Sequence, residues 1–98
     1  MPIKEGLWAK RHPKYGVEWV SKVYRGTVSN KLFATQYSIV EGWGYKLHGM
    51  LEVRLMPEGD YTPLTLEELA EMLAYCKPNR VPDLIEAVQK ELSKEDRP

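Results

Sequence analysis

Two histidines, a single cysteine and a Gly-Trp-Gly triplet are the residues of this 98-residue chain whose types could do chemistry. His12 and His48 are the natural proton carriers, and alternation places His48 on one predicted face with Glu52 and His12, so proton transfer is conceivable there, although an exposed histidine on a sheet is usually just surface. Neither histidine has a Cys, His or Asp at metal-ligand spacing, which argues against a zinc site. Cys76 falls on the apolar stripe of a predicted helix, where a thiol is an inert small hydrophobe rather than an exposed nucleophile. Gly42-Trp43-Gly44 lacks the later glycine and the following helix of a phosphate loop and reads as a turn. The expectation is a non-enzymatic protein with no cofactor and no metal.

The element that positions His48 is the stretch from Trp43 to Met56. Its odd positions Trp43, Tyr45, Leu47, Leu51, Val53 and Leu55 are apolar, whereas Lys46, His48, Glu52 and Arg54 occupy the even ones. A period of two marks a strand with one buried face, and only Met50 and Met56 break the polarity of the other. Gly49 interrupts the pattern and points to a bulge or a close helix approach. Upstream, Ile3 to His12 reads as a short edge strand, followed by a Pro13 to Gly16 connection. Val17, Trp19 and Val23 alternate with Glu18, Lys22 and Tyr24 as a second strand, although Tyr15, Trp19 and Val23 also fit a helix. After Ser29-Asn30-Lys31, Phe33, Thr35, Tyr37 and Ile39 alternate with Ala34, Gln36 and Ser38 as a third.

Beyond Pro57 the period changes to 3.6. Thr65 and Glu68 form a capping box ahead of Leu66, Leu69, Ala70, Leu73 and Cys76, predicting a helix over 66–76. Pro82 starts a second over 82–93, with Leu84, Ile85, Val88 and Leu92 as its apolar stripe. The fold class is therefore α+β: an antiparallel three- to four-stranded meander followed by two helices packed on one sheet face. Residues 1–98 form a single domain, with a β-rich basic half over 1–56 and a helical acidic half over 57–98.

The zero net charge conceals that division. Residues 1–56 hold nine Lys/Arg against four Asp/Glu, a net +5, and the remainder holds five against ten, a net −5. Eight of the ten aromatic residues lie in the basic half, which suits a nucleic-acid surface, but strands favour aromatics and helices favour Glu without any ligand. One cysteine and no apolar run of membrane-spanning length suggest a cytoplasmic protein with no membrane partner. The face the helices leave open is expected to carry the binding residues Trp8, Lys10, Lys22, Tyr24, Lys46, His48, Met50 and Arg54. Its mixture of cations, aromatics and methionine suits a protein partner or a second copy in a homodimer. The alternative is a nucleic-acid-binding protein using the same face, with the lysines and Arg54 on phosphates and Trp8 and Tyr24 as stacking platforms.

Overall fold

Chain order and spatial order part company after the fourth strand. In the computed structural model, which describes residues 3–14, 16–40, 44–56, 59–75 and 80–95, β1 (Gly6–His12), β2 (Gly16–Arg25), β3 (Leu32–Val40) and β4 (Gly44–Glu52) form an antiparallel meander. A 3-10 turn over Val53–Leu55 follows, and then β5 (Thr62–Pro63), which pairs with β1 rather than with β4. The spatial order is β4-β3-β2-β1-β5, so the chain crosses the sheet between its last two strands. Helices α1 (Leu66–Tyr75) and α2 (Pro82–Glu95) complete an α+β architecture. Expectations resting on Tyr15, Glu41, Gly42, Trp43, Pro57, Glu58 and Cys76 to Asn79 lie outside the described residues.

The segment that suited either strand or helix is strand, as its β-branched and aromatic content favours. The tight connection before it is satisfied by Gly16, whose φ of 81° lies where a glycine meets no Cβ penalty. The capping box forms as expected: the Glu68 amide donates to Thr65 Oγ1 at 3.1 Å, and the Thr65 amide donates to Glu68 Oε1 at 2.9 Å. Within α1 the buried residues are Leu69 and Met72, with Leu73 packed against the core, while Leu66 and Ala70 are exposed.

Both faces of the sheet are covered over much of their area. On one, Leu7, Val20, Tyr37 and Tyr45 pack against Leu69 and Met72 of α1, Leu84 and Val88 of α2, and Val81 between them. On the other, Trp8, Val23 and Ala34 pack with Ile3, Met56 and Tyr61, the last two belonging to the chain that crosses from β4 to β5. The Trp8 indole donates to the Lys4 carbonyl at 2.8 Å, and Gln36 donates to the Tyr61 hydroxyl at 3.2 Å, so the second core carries its polar groups paired.

Three expectations are thereby corrected. The face away from the helices is not open, because the crossing segment lies on it. β1, expected at an edge, is paired on both sides. Trp8, expected to be exposed, is 6% exposed. A two-residue strand containing a proline carries too little pattern to announce itself, and without it the crossing could not be foreseen.

Candidate interaction surfaces

The eight expected binding residues do not share a face. Strand register puts Trp8 beside Ser21 and Gln36, whereas Lys22 lies beside Leu7 and Thr35. Alternate side chains of one strand point to opposite faces, so Lys22 and Tyr24 belong with Val20 on the helix side and Trp8 does not. The pattern of β2 misled because both of its faces carry apolar residues: Val20 and Tyr24 flank Lys22 on one, and Trp19 and Val23 pack toward the second core on the other.

In β4 the irregularity expected at Gly49 is a bulge. Tyr37 pairs with Leu47 and Gln36 with Gly49, leaving His48 as the extra residue. It reverses the alternation, so Met50 shares the helix side with Leu47 although one number is even and the other odd. Leu51, expected beside Leu47, instead packs against the second core.

The helix side beyond the reach of α1 and α2 is a shelf of four apolar residues. Cross-strand rows run Val20, Tyr37, Leu47; then Lys22, Thr35, Met50; then Tyr24, Phe33, Glu52. Leu47 is 60% exposed and Met50 66%, and none of Tyr24, Phe33, Leu47 and Met50 belongs to either core. The Tyr24 and Phe33 rings stack at 6.1 Å and 27°, and the Tyr24 hydroxyl donates to Met50 Sδ at 2.6 Å. Phe33 also lies over Gly26, where an added Cβ would come within 2.8 Å of Phe33 Cε2. A depression of about 360 Å³ opens here between Tyr24, Phe33, Met50 and the β2–β3 turn. Sequence reasoning assigned Phe33 and Leu47 to a covered apolar face; the shortness of the two predicted helices was the available sign that the cover would be partial.

The opposite face carries Lys10, Lys46 and His48. Lys10 pairs with Trp19, Trp19 with Ser38 and Ser38 with Lys46, which makes one row across four strands. The bulged His48 meets Trp19 edge-on, with ring centroids 4.7 Å apart and planes at 87°. Arg54 belongs to neither surface. It sits on the 3-10 turn, donates from Nε to Glu52 Oε2 at 2.6 Å and, with Lys31 at 3.6 Å, holds that carboxyl below the usual carboxylate range.

The strongest ion pair is structural. Arg11 of β1 grips Glu68 of α1 with two hydrogen bonds, 2.6 Å from Nε and 2.7 Å from Nη2, and also donates to Thr62 Oγ1 and the Pro63 carbonyl. With the Arg11 hydrogen bond as the main cause, the Glu68 carboxyl is lowered to about 2. The expected grouping of His48 with Glu52 and His12 does not form: Glu52 pairs with Phe33 on the helix side while His48 meets Trp19 on the other face, and His12 and His48 lie on strands separated by two others. No cluster of three or more metal-ligating side chains occurs among the described residues, and no described helix is long and apolar enough to cross a membrane. Comparison with protein families, with curated proteins and with solved structures finds no match to this chain.

Proposed function

We propose that this chain is a small non-enzymatic protein-interaction module, docking a second copy of itself or a larger protein that it regulates through the helix-side shelf. The observation that carries the reading is the exposure of Leu47 and Met50 beside the stacked Tyr24 and Phe33. Adjoining apolar side chains left in water at this density mark contact sites, and aromatics and methionine are enriched at interface centres. Lys22, in the same row as Met50, supplies a cation at the border. A cytoplasmic setting suits a chain with one cysteine.

Association runs through side chains rather than by strand addition. The outer edge of β4 is unpaired, but the bulge at His48 interrupts its hydrogen-bonding ladder and Lys46 places a charge on it, both devices that discourage edge pairing. Light scattering of the pure protein across a concentration series tests the self-docking form. The wild type is expected to pass from monomer to dimer and Met50→Asp to stay monomeric. A wild type that remains monomeric at the highest concentration sinks the homodimer.

A further inference from the structure

The row on the opposite face has no part in that docking and has a different chemistry. Lys10 and Lys46 lie on β1 and β4, three inter-strand spacings or roughly 14 Å apart, with Trp19 between them. Neither lysine forms an ion pair among the described residues, whereas the cations Arg11, Arg25, Lys31 and Arg54 all do. Trp19 is only half-buried, and the His48 ring stands against it, so two aromatic rings sit between two unneutralised charges on a rigid sheet. Serine fills the remaining place in the row, which keeps the surface between Trp19 and Lys46 low. Glu18, the extra residue of β2 where Arg11 pairs with Val17 and Lys10 with Trp19, lies beside the row and forms no ion pair with either lysine among the described residues.

We propose that this row binds single-stranded nucleic acid, with Lys10 and Lys46 contacting backbone phosphates and Trp19, braced by His48, receiving an unstacked base. Flat rings between cations are what a single strand can use and a double helix cannot, because paired bases are already stacked on one another. A protein partner for the same row would need carboxylates spaced to match both lysines and an apolar group to cover the ring between them, whereas a single strand carries phosphates and bases together in every nucleotide, so charge and aromaticity together favour the polynucleotide.

The test is fluorescence anisotropy of labelled oligouridylate, oligothymidylate and a duplex of matched length, titrated with the full chain at several salt concentrations. Single strands are expected to bind more tightly than duplex, with an affinity that falls as salt rises. Removing each lysine, as Lys10→Gln or Lys46→Gln, should reduce the slope of log affinity against log salt by about 0.7. Trp19→Leu should weaken binding about tenfold or more. Because Trp19 also touches the second core, His48→Ala and Glu18→Gln are read beside it: the first is expected to weaken binding and the second to strengthen it. Met50→Asp should leave binding unchanged, which separates this surface from the shelf. Absence of binding at low salt, a slope indifferent to both lysines, or equal affinity for duplex would overturn the proposal.

Discussion

Trp8 makes the residue scale concrete, because its role inverts when its neighbours are known. As a surface anchor it could be truncated at little cost to folding, but here it lies among Ile3, Val23 and Met56 with its indole hydrogen donated to a carbonyl. Trp8→Ala is accordingly expected to cost about 3 to 5 kcal/mol, measured by urea unfolding. A loss below about 1 kcal/mol would mean that the second core does not form around it. Gly26 is expected to behave oppositely to its modest appearance. A methyl group there would press on Phe33, which belongs to neither core and can turn outward, so Gly26→Ala should disturb the stacking with Tyr24 while costing only about 1 kcal/mol. The near-ultraviolet circular dichroism of the tyrosines reports that disturbance directly.

At the scale of elements, two joints decide how the parts sit. The first is the clamp of Arg11 on Glu68, which fixes the start of α1 to β1 while Glu68 also caps its own helix. A carboxyl at about 2 in the folded chain and about 4.3 in the unfolded one binds protons more weakly when folded. Its contribution is thus complete above about pH 4.3 and fades as pH falls toward 2. Thermal melts from pH 5 to pH 2 should show a shallower acid decline in Glu68→Gln than in the wild type. Equal declines would show that the clamp contributes nothing. The second joint is the bulge. Because His48 is the extra residue, deleting it leaves Leu47 opposite Tyr37 and Gly49 opposite Gln36, with every later pair unchanged. The deletion is therefore expected to be tolerated far better than Trp8→Ala, and a chain that fails to fold without His48 would refute that register.

Across the whole molecule, what the amino-acid pattern revealed was mostly local. The capping box, the helix after Pro82, the four long strands and the break at Gly49 are each written within a few residues, and each was legible. The faces were not. Deciding which side of β2 met the helices needed the register between β1 and β2, and that in turn depended on a sheet with two cores rather than one. β5 has no pattern of its own, so neither the crossing nor the burial of Trp8, Met56 and Tyr61 could be read from alternation. The candidate surfaces divided accordingly: Lys22, Tyr24 and Met50 on one side, Lys10, Lys46 and His48 on the other. If the shelf is a docking surface, Leu47→Asp should abolish self-association while changing folding stability by about half a kcal/mol or less. Calorimetric melts alongside light scattering distinguish that outcome from simple unfolding.

The path from β4 across the sheet to β5 also sets the sequence of events during synthesis on the ribosome. The meander emerges first, carrying both of its apolar faces before the residues that cover them exist. Met56 and Tyr61 arrive next to close one face, and the other waits for α1 and for Val88, well into α2. The Arg11 guanidinium must likewise wait 57 residues for its carboxylate. A nascent chain paused near Met56 would thus present two sticky surfaces and an unpaired β4 edge at once, which is when it has most need of a chaperone. A fragment ending at Met56 should aggregate on its own and be rescued by adding residues 57–98 in trans.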